Sequence, residues 1–179
     1  MSNNTGSNNI AIGYSANIGE GVSNAIAIGQ GSTNSTSNTI VLGNTSITKV
    51  STSGAIVTTN GITAKHIKGN SGALSIAAST GAGTSPSAVS VTGTDMSGVV
   101  SLTTGTSPSV NAVLATITYN TAFSTAPVVV ITPANAATAS LAAAQAVWVN
   151  ITTTGFTINT NATAVVSSTA YKWNYVVIQ

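Results

Sequence analysis

Apolar side chains recur at every second position over much of this chain, the period of a strand with two unlike faces. The pattern is sharpest in residues 7–43, where it is written three times. Ser7-Asn8-Asn9-Ile10-Ala11-Ile12-Gly13 returns as Ser23-Asn24-Ala25-Ile26-Ala27-Ile28-Gly29 and again as Ser37-Asn38-Thr39-Ile40-Val41-Leu42-Gly43, with starts 16 and 14 residues apart. Each copy sets two large apolar residues on one face and a smaller one on the other. The glycine that follows permits a positive φ, and the Ser/Asn/Gly filler between copies has turn chemistry. A repeat of this length predicts one supersecondary unit stacked on copies of itself. Three such rungs bury little apolar surface against the backbone they order. The block is therefore expected to close its core against identical chains through Ile10, Ile12, Ile26, Ile28, Ile40 and Leu42.

Beyond the repeats the alternation is interrupted and then resumes. Residues 49–54 read as a connector, and residues 56–59 and 62–67 flank Asn60-Gly61, a strong hairpin signal. Residues 70–85 are rich in small side chains and read as a linker with room for one short strand. A second module is expected from Pro86, after the turn word Gly83-Thr84-Ser85-Pro86-Ser87 that recurs as Gly105-Thr106-Ser107-Pro108-Ser109. Its predicted strands are 88–92, 99–103, 112–119, 127–132, 146–152, 156–159 and 171–178, the spacing of a β-sandwich or jelly roll. The unbroken run Val128-Val129-Val130-Ile131 predicts a strand buried on both faces. Residues 141–146 have the composition of a short helix or a loop. The expected organisation is thus a repeat block at 1–46, a connector with a hairpin and linker at 47–85, and a β-sandwich at 86–179.

The repeat block resembles the head repeat of trimeric autotransporter adhesins (the YadA-like head), which also occurs in bacteriophage tail fibres. The matching residues are Ile10-Ala11-Ile12-Gly13, Ala25-Ile26-Ala27-Ile28-Gly29 and Thr39-Ile40-Val41-Leu42-Gly43. The resemblance implies a left-handed parallel β-roll in which three chains pack through their apolar strand faces. More loosely, the stretches 112–119, 126–133 and 173–178 resemble terminal β-sandwich modules of viral and phage structural proteins, which implies a trimeric knob capping a fibre. No heptad pattern marks a coiled-coil stalk.

Composition narrows the class. Charged residues make up 3% of the chain: Lys49, Lys65, Lys68, Lys172, Glu20 and Asp95, with no arginine. So few cations cannot supply the phosphate contacts that nucleic-acid binding requires. Thr, Val and Ile suit pleated, half-buried surfaces, and the expected class is all-β. Without cysteine there is neither a disulfide nor a thiolate metal site. The opening residues lack the basic and apolar regions of a signal peptide. No apolar run approaches the ~18 residues of a membrane span, so no membrane insertion is expected. Both features favour a virion fibre over a complete autotransporter.

Candidate chemistry is sparse. Glu20 and Asp95, the two carboxylates, lie in different modules and form no expected acid/base pair. His66, the single histidine, is read as a connector residue rather than a catalytic base or metal ligand. Tyr171, Trp173, Tyr175 and Val177 share one strand face, with Trp173 and Tyr175 expected in the core. Trp148 alternates with Val147 and Val149, while Tyr14 and Tyr119 are expected to be exposed. Sequons at Asn3, Asn34, Asn44, Asn150 and Asn161 follow from an Asn/Thr-rich composition. The expectation is a non-enzymatic, cofactor-free homotrimer on a virion surface, attaching to a host cell-surface glycan or protein receptor and joined to other virion proteins. The alternatives are a bacterial trimeric autotransporter adhesin fragment at the cell surface, or a subunit of a self-assembling extracellular filament.

Overall fold

The computed structural model describes residues 5–69, 71–143, 147–163 and 165–179. It is built mostly of β-strands, with 5% helix. The chain divides into two compact units, Met1–Thr63 and Ala64–Gln179.

In the first unit, β1 (Ile10–Ile12), β3 (Ile26–Ile28) and β5 (Ile40–Leu42) form a parallel sheet, and β2 (Asn17–Ile18) and β4 (Thr33–Asn34) form a second. The register follows the sequence repeat: Ile10 faces Ile26, which faces Ile40, and Ile12 faces Ile28, which faces Leu42. Successive repeats therefore lie directly over one another. Each repeated residue type has a structural reason. Asn8, Asn24 and Asn38 turn the chain at φ 58, 54 and 61, a left-handed conformation that asparagine tolerates better than most residues. Asn24 donates its side-chain amide to Oδ1 of Asn38 at 2.9 Å, and the Ser7 amide donates to the Ser23 hydroxyl at 3.0 Å. Gly13 turns at φ +129, and a Cβ there would sit 2.7 Å from the Gly29 carbonyl in the repeat beneath it. The glycines are thus needed both for the turn and for the close stacking.

The small face of the repeat strands turns into the interior of this stack. Ala25, Ala27, Ile18 and Val22 form the core, with Ala11 packed against it. Ile26 is half-buried, and the other five large residues of the repeat face outward, from 38% exposed at Ile28 to 62% at Ile40.

Among the described residues no strand falls between Leu42 and Ser75. The hairpin expected around Asn60-Gly61 is not formed, although Gly61 does turn at φ +85. Ile56, Val57, Ile62 and Ile67 are all exposed, and a two-stranded hairpin without an apolar face to pack on is marginal in water.

The second unit contains two four-stranded antiparallel sheets around one core. The first runs β10 (Val128–Pro133), β13 (Ala170–Ile178), β8 (Ser97–Thr103), β7 (Ser87–Thr94). The second runs β11 (Val147–Ile151), β12 (Gly155–Thr160), β9 (Val113–Thr118), β6 (Ser75–Ala78). Val100, Leu102, Tyr171, Trp173, Tyr175 and Val177 from the first sheet meet Leu114, Ile117, Phe156 and Ile158 from the second. All seven strands read from residues 88–178 are present, and β13 alternates without a break between exposed and buried positions.

Three expectations are revised. Part of the linker at 70–85 belongs to this unit: β6 pairs with β9, Ala82 is buried, and Thr84 bridges to Thr106. A four-residue edge strand with Ile76 as its one large side chain is too weak a sequence signal to separate from filler. The run Val128–Ile131 is covered on one face only, because β10 is an edge strand whose Val128 and Val130 point outward. Helix α1 (Ala136–Ala143) begins earlier than the stretch read as helix or loop, and residues 144–146 of that stretch lie outside the described residues. Its start is fixed by Asn135, whose Oδ1 accepts from the Thr138 amide at 2.9 Å and the Thr138 hydroxyl at 2.7 Å.

Candidate functional site

The six residues expected to hold copies together form one two-column ladder on β1, β3 and β5. Ile10, Ile26 and Ile40 make one column, Ile12, Ile28 and Leu42 the other. Five of the six are exposed and Ile26 is half-buried. The coil interior is filled largely without them, and among the described residues of this unit no strand or helix covers this face. Exposed aliphatics continue into the segment that follows, at Ile47, Val50, Ile56 and Val57. The second unit has a smaller patch of the same character. Val128 pairs with Ile178 and Val130 with Val176 across β10 and β13, and all four side chains are exposed.

Glu20 belongs to the first unit, and Asp95 and His66 to the second. Asp95 is buried at the β7–β8 turn, where its two carboxylate oxygens accept from the backbone amides of Asn120 at 2.8 Å and Thr121 at 3.0 Å. Its own amide donates to the Ser71 hydroxyl at 2.8 Å. The carboxylate thereby pins the loop after β9 to the end of the sheet, and the Asp95 amide holds the segment at Ser71 beside it. An open hollow of about 330 Å³ lies beside it, bordered by Ser71, Met96, Phe123 and Gln179. Tyr119, expected to be exposed, is instead buried. Its ring meets Phe123 edge-on with centroids 4.9 Å apart, and its hydroxyl has no hydrogen-bond partner among the described residues. The Tyr175 hydroxyl donates to the Thr94 carbonyl at 2.8 Å. Burial, reinforced by the negative charge of Asp95, pushes both phenols up to about 12. Glu20 is exposed in the first unit, and His66 is exposed outside any strand or helix. Among the described residues no group of three or more His, Asp or Glu side chains is placed to hold a metal ion. Likewise, among those residues no helix is long and apolar enough to cross a membrane.

The core placement expected for Trp173 and Tyr175 is observed, with both almost fully buried. Trp148 differs from them. Its neighbours Val147 and Val149 face the core, which turns the indole to the outer face of the second sheet, where it is 53% exposed. There it stands opposite Asn159, and Asn150 stands opposite Thr157, which in turn faces Thr116. Asn159 donates its amide to the Thr157 hydroxyl at 2.8 Å, which fixes both side chains on this face. A shallow open hollow of about 150 Å³ lies farther along the same sheet, beginning at Asn150 two residues from Trp148, and is lined by Thr116, Thr118, Asn150, Thr152, Thr154 and Thr157. Gly155 forms part of its floor, where a Cβ would run into the Ile117 carbonyl oxygen of the neighbouring strand. Period-two reading along β11 could separate Trp148 from the valines. The grouping of its polar neighbours depends on strand pairing, which has no local sequence signal.

Of the sequons, Asn34 is buried while Asn44, Asn150 and Asn161 are exposed, and Asn3 lies outside the described residues. No family model, curated protein or solved structure matches this chain.

Proposed function

We propose that this chain is a homotrimeric fibre protein of a virus or phage, carried on the virion surface and acting in attachment to a host cell. In this reading the stacked repeats are a left-handed β-roll shaft and the two-sheet unit is a β-sandwich tip. The carrying observation is the ladder of Ile10, Ile12, Ile28, Ile40 and Leu42, five large aliphatics left in solvent by a coil that packs alanines inside. Monomeric proteins rarely leave so contiguous an apolar face uncovered. Three ladders meeting about a common axis would bury one another in register, since the repeat spacing is the same in every copy. The resemblance of the repeats to trimeric adhesin and tail-fibre heads supports the same assembly. Three tips on one axis give attachment through avidity, so that each contact can be weak. The protein acts by binding, without catalysis, cofactor or nucleic acid, and its partners are its own copies, a host surface receptor and neighbouring virion proteins.

The test is mass in solution by light scattering on size-separated protein. A single species at three times 17.5 kDa is expected. A folded monomer, or fibrils that lengthen with concentration, would overturn the reading.

A further inference from the structure

We propose that the outer face of the sheet β11-β12-β9-β6 is a binding surface for a neutral oligosaccharide, with Trp148 as the stacking platform. The proposal deepens the attachment reading, on which it rests, by naming the chemistry of the receptor. The indole is held at the surface by the alternation of β11, whose Val147 and Val149 are packed against the core. Beside it on this face Asn150, Thr157 and Thr116 make one row across the sheet, ending on Ala77, and Thr118 and Ser75 lie in the next. No hydrogen bond among the described residues uses the side chains of Thr116, Thr118 or Asn150, and all three are exposed. The row from β11 to β6 crosses four strands, about 14 Å at the usual strand spacing, enough for a short chain of sugar rings.

Charge selects among ligand classes. None of the four strands of this sheet carries a charged residue. An anionic ligand would lack a cation to meet it, and a cationic one would find a single indole without a carboxylate or a second ring. A wholly apolar ligand would leave the threonine and asparagine groups desolvated and unpaired. A neutral sugar satisfies the whole face. Its C–H face covers the indole, which otherwise stays wet, and its hydroxyls exchange hydrogen bonds with hydroxyl and amide groups that both donate and accept. The hollow over Gly155 leaves room for a ring to lie close to the sheet.

The experiment uses the full chain, with its mass measured in the same buffer. It is applied to a printed panel of neutral hexose and N-acetylhexosamine oligosaccharides beside sialylated and sulfated counterparts. The neutral sugar best retained is then titrated while tryptophan fluorescence is followed. Expected are retention on neutral members, a fluorescence change on titration, and a loss of affinity of at least tenfold in Trp148→Ala with unchanged mass. Trp148→Phe should keep part of the affinity and Thr118→Val should lower it severalfold. Failure to retain any neutral sugar, retention of charged members only, or wild-type affinity in Trp148→Ala would each overturn the proposal. A fall in mass in Trp148→Ala would overturn it too, marking the face as a contact between copies while the wild-type mass still supports the trimer. A wild-type monomer that still binds the sugar would remove the trimer and leave this surface standing.

Discussion

Asn34 and Thr39 hold each other twice. The Asn34 amide donates to the Thr39 carbonyl at 2.9 Å, and the Thr39 hydroxyl donates back to Oδ1 of Asn34 at 2.9 Å. Asn34 also donates to the Ile26 carbonyl at 3.1 Å and accepts from the Thr36 amide at 3.0 Å. It is fully buried in register with Ile18 of the preceding repeat. A polar group thus occupies an interior level of the stack and has its capacity used. Asn34→Ala would remove four hydrogen bonds made by a buried side chain, at about 0.5–1.5 kcal/mol each. The expected result is a loss of roughly 3 kcal/mol in the repeat block, read from urea unfolding at fixed protein concentration. A loss below about 1 kcal/mol would contradict the clamp.

The two faces of the repeat strands should respond oppositely to substitution. Ile12→Ser and Ile28→Ser remove side chains exposed in the single chain, so they should change the stability of the isolated coil by no more than about 0.5 kcal/mol. They should nevertheless convert the trimer to monomer in light scattering. Ala27→Leu inserts bulk at a position with no exposure. It should destabilise the coil by about 1–3 kcal/mol, read as lost β signal in circular dichroism on heating. If Ile28→Ser unfolds the coil as readily as Ala27→Leu, the inward and outward faces have been misassigned.

Two buried tyrosines should part company when their hydroxyls are removed. Tyr175→Phe loses a bond to the Thr94 carbonyl and should cost about 1 kcal/mol. Tyr119→Phe removes a buried hydroxyl that has no partner among the described residues, and should leave stability equal or slightly raised. Chemical denaturation of both variants beside the wild type decides this.

The same phenols predict a stability limit at high pH. Burial, then the charge of Asp95, lifts both from 10.0 to about 12, and Tyr119 adds to the shift of Tyr175. Below the unfolded value of about 10, folded and unfolded states alike keep the protons and the full contribution is present. Between the two values the unfolded chain releases protons that the folded chain retains, so stability falls as pH rises. The urea midpoint should be flat to about pH 9.5 and decline through pH 10–12. The double variant Tyr119→Phe/Tyr175→Phe should flatten that decline.

Period two is a local signal, and what depends on it was legible in the sequence. The all-β class, the seven strands between residues 88 and 178, the burial of Trp173 and Tyr175, and the pairing of large and small faces in the repeats all follow from neighbours two apart along the chain. A partner's position is not local, and what depends on it was missed. At Asn60-Gly61 the chain bends, with Gly61 at φ +85, but the hairpin read there is not formed, since its flanking apolar residues are exposed. Tyr119 looked solitary because Phe123 and Phe156 reach it only once the loop after β9 and strand β12 are in place.

The repeats make the division plain. The sequence by itself determined that Ile and Ala lie on opposite faces, because successive side chains of a strand alternate. Only the tertiary structure decided that alanine goes in, because stacking at the Gly13–Gly29 turns and across the closed coil leaves an interior too narrow for more than a few large side chains. In the same way the sequence put Trp148 and Asn150 on one side of β11. Their grouping with Thr157 and Thr116 arose from the pairing of three strands distant in sequence, a register set by packing the valines, Ile117, Phe156 and Ile158 into a common core.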